Sequence, residues 1–383
     1  GALQCPSNNS TALVGNLLPG ETNGKCYQGL NPWQGFKGGT PTTGNLVTLN
    51  KPHILKIVGD WSNIEEDVTG LIISGWATDH TRFLKITTQG DARHLGKIDP
   101  VISTKKHYQI NPISGNDIIT VQVPHMIIDG LVFKDIGSTS QAKVIEIANN
   151  VSEISIINNI FYDHNSAPEQ DAIHFAPKVS GPTMFAMIMN NLFYDLSGSA
   201  VLLEDSRFVQ VGIYNNTVMQ AGNNTTTQKP CIGLRNSGAM NYSSTMLDVR
   251  NNIVDCNPSR NAFALAPATG INNGVWAFKN NNIASDTTPG IEGFVASYSS
   301  LNIVNMPLAG NNVYVLNNSL ANADLHLASN SISNKAFRNG EDLKPVLEPI
   351  STLLVDGWYQ IFDDIDGEGR MPSTWDIGAD FLP

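Results

Sequence analysis

A pair of asparagines followed by two largely apolar residues recurs six times between residues 142 and 321. The copies are Asn158-Asn159-Ile160-Phe161, Asn190-Asn191-Leu192-Phe193, Asn215-Asn216-Thr217-Val218, Asn251-Asn252-Ile253-Val254, Asn281-Asn282-Ile283-Ala284 and Asn311-Asn312-Val313-Tyr314. Their first asparagines are 32, 25, 36, 30 and 30 residues apart. A period near 30 marks a solenoid, whose repeats bury their apolar faces only against one another. Within each repeat the apolar runs are short, β-branched and alternating, as in Val144-Ile145-Glu146-Ile147. That period of two belongs to strands, and no sustained helical period competes with it. Asparagine suits the corners because it tolerates the left-handed backbone region. Amides stacked at one corner can also bond from coil to coil, as they do in cross-β ladders. The expected fold is therefore all-β, a single-stranded right-handed parallel β-helix.

The β-helix is expected over residues 44–335, in about nine to ten coils of about 4.8 Å each. Strands are expected at Val47-Thr48-Leu49 and Ile54 to Val58, and Asp129-Gly130 is expected at the asparagine-pair position of its coil. Residues 1–43 read as an irregular cap that lays Trp33 and Phe36 over the open first coil, because exposed strand edges need a cover. Residues 336–383 read as a C-terminal cap or tail.

The strands that open successive repeats align as Ile145-Glu146-Ile147-Ala148, Ile173-His174-Phe175-Ala176, Val201-Leu202-Leu203-Glu204, Ile232-Gly233-Leu234-Arg235 and Phe263-Ala264-Leu265-Ala266. The first and third columns are apolar and point inward; the second and fourth point outward. Glu146 then neighbours His174, and Glu204 neighbours Arg235, with Lys178, Asp205 and Arg207 just beyond the strands. Elsewhere these columns turn to alanine and glycine, which would leave a shallow groove for an extended chain. Uronate elimination would use His174 or Lys178 as base and Arg235 or Arg207 against the sugar carboxylate. Glycoside hydrolysis would instead use two of Glu146, Glu204 and Asp205. A solvated sheet with alternating cross-strand charges explains the same residues without a substrate. A second basic group, Arg93, His94 and Lys97, either holds an acidic sugar or bonds backbone carbonyls at a corner.

A net charge of −11 and a pI near 5.1 argue against nucleic acid or an anionic membrane as partner. No apolar run is long enough for a membrane span. The expected partners are extracellular polysaccharide or neighbouring copies of the same chain, the latter giving an adhesin or a filament subunit without catalysis.

Near its end the chain carries Asp364-Ile365-Asp366-Gly367-Glu368-Gly369-Arg370 and then Asp376-Ile377-Gly378-Ala379-Asp380. This pattern resembles the closing motif of secreted bacterial right-handed β-helix repeat proteins of the pectate-lyase-like superfamily. The resemblance runs from about residue 65 to the end of the chain. It implies fold and export, and it leaves activity open among polysaccharide lyases, hydrolases, epimerases and proteins without known activity. Asp364, Asp366 and Glu368 mimic half a calcium loop but lack its closing glutamate. Pairing of Arg370 with Asp364 or Asp366 explains them equally, and no other cofactor is implied.

Four cysteines fall as two local pairs, Cys5 with Cys26 and Cys231 with Cys256, and no C-x-x-C is present. Two disulfides and an oxidising, extracellular setting are expected, and the start at Gly-Ala-Leu-Gln-Cys reads as a processed export product. Peptide mapping of unreduced protein should recover both cross-linked pairs and no alkylated cysteine; four alkylated cysteines would remove the pairing and the setting together.

Overall fold

The alternating apolar residues pair as the sequence columns require. The structure, a computed structural model, describes residues 12–15, 26–27, 29–37, 44–62, 70–96, 107–111, 117–134, 142–164, 170–178, 180–204, 209–221, 231–235, 246–256, 263–265, 277–283, 291–292 and 302–305, together with Leu343 and Ile365. Equivalent strands of successive coils stack in parallel, giving an all-β parallel β-helix. Among the described residues its first face stacks eight strands: Leu71–Ile73, Ile119–Val121, Ile145–Ile147, Ile173–Phe175, Val201–Glu204, Ile232–Arg235, Phe263–Leu265 and Ile291–Glu292. Ile145 sits opposite Ile173, then Val201, Ile232 and Phe263, so the predicted first column is reproduced pair by pair. Ile145, Ile147, Ile173, Phe175 and Leu203 are fully buried. The side chains of Leu234 and Leu265 lie outside the described residues.

A second face runs through His53–Val58, Leu84–Thr88, His125–Asp129, Glu153–Ile157, Met184–Met189, Val209–Tyr214 and Met246–Arg250. The third runs through Gln109–Ile110, Val132–Lys134, Ile160–His164, Leu192–Leu196, Thr217–Ala221 and Ile253–Cys256. Inside it Phe133, Phe161 and Phe193 stack face to face at 4.9 Å per step. Offset rings at that spacing add to the burial of their area.

The asparagine pairs form the corner between the second and third faces, and their two members do different work. The first members, Asn158, Asn190, Asn215 and Asn251, have φ of 55, 55, 52 and 58°. They turn the chain through the left-handed region that most side chains avoid. The second members form a ladder. Asn159 Nδ2 donates to Asn191 Oδ1 at 3.1 Å, Asn191 Nδ2 to Asn216 Oδ1 at 3.0 Å, and Asn216 Nδ2 to Asn252 Oδ1 at 3.0 Å. Each acceptor oxygen also takes the backbone N–H of the asparagine one coil before it. Each amide donates its other hydrogen to a strand carbonyl, of Ile128, Ile156, Ile188 and Ile213 in turn. Corner N–H and C=O groups that no strand pairs are thus satisfied in a fully buried place.

Register corrects two of the predicted pair positions. Ile160 pairs with Val132, which puts Gly130-Leu131, not Asp129-Gly130, at the corner. Gly130 supplies the positive φ, at 75°, and the Leu131 N–H caps the ladder on Asn159 Oδ1 at 2.9 Å. Ile253 pairs with Asn282, so the next pair is Asn280-Asn281 rather than Asn281-Asn282. Three consecutive asparagines left the sequence pattern ambiguous by one residue there. Asn311-Asn312 lie outside the described residues.

The N-terminal segment is more regular than expected. Leu30–Lys37 is a helix with Pro32 in its first turn, where a missing N–H has no intrahelical partner to lose. Trp33 is fully buried, stacks on Trp76 at 5.6 Å and donates from Nε1 to His53 Nε2 at 3.1 Å. Val47-Thr48-Leu49, expected as a strand, lies in a one-turn helix, Leu46–Leu49. Asn45 Oδ1 accepts the Thr48 N–H at 2.9 Å, and Asn50 at φ 52° closes the turn. Capping by the two asparagines overrides the β-branched run between them. Ala12–Gly15 lies antiparallel against His53–Val58 and occupies its outer edge.

The two members of a pair predict opposite mutational outcomes. Asn216→Ala removes the ladder partners of Asn191 and Asn252 and should cost about 3 kcal/mol in chemical denaturation. Asn215, whose buried amide has no hydrogen-bond partner among the described residues, should accept glycine within about 0.5 kcal/mol.

Candidate functional site

Parallel register brings Glu146, His174 and Glu204 together on the first face. Glu146 sits opposite His174, which sits opposite Leu202, with Glu204 two residues beyond Leu202. His174 Nδ1 lies 2.5 Å from Glu146 Oε2, and Nε2 lies 3.1 Å from Glu204 Oε2. The residue is 5% exposed. Burial works to lower its pKa, but the hydrogen bonds to both glutamates, with the charges of Glu146 and Asp171, outweigh burial and raise it to about 9. His174 is therefore an imidazolium at neutral pH, donating from both nitrogens. The expectation that His174 is exposed to solvent is corrected, because the parallel stack buries it between the two carboxylates.

The remaining predicted residues divide. Lys178 is buried, and its Nζ donates to Asn149 O at 2.5 Å, which ties it to a corner; burial lowers its pKa. Arg235 stands opposite Glu204 in the strand register, and its side chain lies outside the described residues, as do Asp205 and Arg207. The outward second column is closed at His174, Leu202 and Gly233, all buried; a groove was expected where the columns turn to alanine and glycine, and Gly233 is one such position. The fourth column is more open: Gln122 is exposed, and Ala148, Ala176 and Glu204 are half-buried.

Arg93 and His94 take the structural role. Both Arg93 NH groups reach Asp129 Oδ1 at 3.2 Å, and Lys85 Nζ lies 3.3 Å from Oδ2. Burial alone would raise the Asp129 carboxyl, and these two cations hold it down. His94 Nε2 donates to Asn158 O at 2.7 Å, while Nδ1 accepts the Gly96 N–H. Burial, with the charge of Arg93, lowers the His94 pKa to about 3. Lys97 lies outside the described residues, as do Asp364, Asp366, Glu368 and Arg370 of the calcium reading. Among the described residues no group of three or more His, Cys, Asp or Glu could hold a metal, and no helix is long and apolar enough to cross a membrane. Cys231 is buried and disulfide-bonded, its partner sulfur lying outside the described residues.

A second titratable cluster was not foreseen. His80 Nδ1 lies 3.0 Å from Glu153 Oε2, next to His125 and Thr78. His125 stands opposite Glu153 in register, a stacking that alignment of Met126-Ile127-Ile128 with Ile154-Ser155-Ile156 could have found. His80 comes from a loop 73 residues away, which no column alignment reaches.

Comparison with known protein families, curated proteins and solved structures gave no match.

The two shifted histidines bound stability on opposite sides. His94, at about 3 folded against 6.5 unfolded, contributes fully above pH 6.5 and loses that contribution as pH falls toward 3. His174, at about 9 folded, contributes fully below 6.5 and loses it as pH rises through 9. Thermal melts should be highest near pH 6 to 7. His174→Ala should flatten the alkaline limb, worth up to about 3 kcal/mol, and leave the acid limb in place.

Proposed function

We propose that this chain is an extracellular β-helix that binds a neutral polysaccharide along the fourth column of its first face, without cleaving it there. The carrying observation is the strip Gln122, Ala148, Ala176, Glu204, which occupies one position in four successive coils. The two alanines keep its floor low between a polar residue at each end. Glu146 and Glu204, with side chains 19% and 30% exposed, are held in place by His174 and present carboxylate oxygens as acceptors for sugar hydroxyls. Preorganised acceptors lower the ordering cost of binding. The net charge of −11 disfavours uronates.

Lyase chemistry is disfavoured because His174 is protonated on both nitrogens. Glycoside cleavage needs one carboxyl to arrive protonated, whereas Glu146 and Glu204 both accept from the imidazolium. Export fits the disulfide at Cys231, for which Cys256 is the nearest cysteine in sequence. End-to-end assembly through the N-terminal end would need the open edge of His53–Val58, and Ala12–Gly15 occupies it.

Calorimetry against neutral and uronate oligosaccharides should show binding to a neutral chain only, at least tenfold weaker in Ala176→Arg, with no new reducing ends or unsaturated products. Products that disappear in Glu204→Gln would make the protein an enzyme, and failure to bind any glycan would end this reading.

A further inference from the structure

Asn150 stands at the edge of the glycan strip with half of its amide unpaired. The residue is exposed, and its Nδ2 donates to Gln122 O at 2.6 Å. A carbonyl only accepts, so this contact fixes which end of the Asn150 amide faces the strand. One Nδ2 hydrogen is engaged there; Oδ1 and the second hydrogen have no partner among the described residues. Because Gln122 is the first member of the strip, the bond places the amide at the strip itself. The side-chain amide of Gln122 is exposed and likewise makes no hydrogen bond among the described residues.

The turn that carries Asn150 is held at each step. Ala148 N–H donates to Val121 O at 3.0 Å, Val151 N–H returns to Ala148 O at 3.2 Å, and Ser152 N–H donates to Pro124 O at 2.8 Å. Lys178 clamps the turn from the next coil. Its buried Nζ donates to Asn149 O at 2.5 Å and reaches Val151 O at 3.5 Å. An ammonium satisfied by these carbonyls leaves the turn little freedom, so a ligand has less of it to order on binding. Ala148 adds an apolar surface. It follows Ile147, which stands opposite Val121, so Ala148 stacks on Gln122 in the column and floors the strip at half-burial.

Acceptor, donor and methyl together match one substituent of a neutral sugar. A secondary amide carries one N–H and one C=O, and the acetyl methyl beyond them gains from an apolar contact. A hydroxyl in the same place leaves the Ala148 methyl in water. We propose that Asn150, with Gln122 and Ala148, forms a subsite for the acetamido group of an N-acetylhexosamine. Asn150 Oδ1 accepts the acetamido N–H, its second Nδ2 hydrogen or the Gln122 amide donates to the acetamido C=O, and the acetyl methyl rests on Ala148. Lys178 is a positioning residue that holds the turn. The subsite depends on glycan binding along the fourth column, and it makes the preferred polysaccharide one that contains N-acetylated amino sugars.

Calorimetry with the full chain compares tetra-N-acetylchitotetraose with cellotetraose, which share length and linkage and differ in the group on C2. The acetylated oligosaccharide should bind about tenfold tighter, the worth of one or two net hydrogen bonds. Asn150→Ala should bring the two affinities together, chiefly by weakening the acetylated ligand. Lys178→Met should reduce the preference, since the released turn no longer holds the amide in place. Equal affinities in the wild type, or a preference that survives Asn150→Ala, would overturn the subsite and leave the glycan strip standing. Absence of binding to either oligosaccharide would also overturn the subsite, and failure of every other neutral oligosaccharide would remove the strip with it.

Discussion

The amide ladder from Asn159 through Asn191 and Asn216 to Asn252 is the constraint on which the coil geometry rests. A parallel β-helix pairs its strands readily, but every corner interrupts the pairing and would leave buried N–H and C=O groups behind. Here one side chain per coil answers both needs, its oxygen accepting the neighbouring corner N–H and its nitrogen donating to a strand carbonyl. Because each amide must meet the one above it, the ladder also fixes register. A slip of one residue would send the inward isoleucines of the second face outward. The corner therefore holds the inner columns in place as much as the columns hold the corner.

That rigidity decides what the outward residues can do. Strands held in register stack Glu146 on His174 and set Glu204 close by, and the imidazole has become a charged bridge between two carboxylates. A bridge of this kind orders the face and removes the free base that elimination would need. Of the residues that resemble a reactive constellation in one dimension, Glu146, His174 and Glu204 form an ion-paired unit in three. His80 shows the converse, since its turn leaves the strand stack and its side chain is 39% exposed.

Cations behave in the same way. Arg93, Lys85 and Lys143 each end on a fully buried aspartate, Asp129 or Asp171. A buried carboxylate is tolerable only when paired. These pairs tie segments of neighbouring coils together. The net charge of −11 disfavours anionic partners.

The sequence by itself determined the fold class, the parallel pairing of the first face and the residues that line its core. A repeat near 30 residues with alternating β-branched positions admits few other solutions. It also determined that Glu146 would meet His174, because columns in a parallel sheet follow from alignment alone. It placed the corner one residue off at Asp129 and at Asn281, where a glycine stood in for asparagine and where three asparagines ran together. It read Val47-Thr48-Leu49 as strand because capping by Asn45 and Asn50 is a local signal that β-branched composition masks. Only the tertiary structure decided the protonation of His174, which depends on two carboxylates converging from coils on either side and on exclusion of water. Only the tertiary structure joined His80 to Glu153, because a loop excursion follows no period and its end point is set by packing across 73 residues.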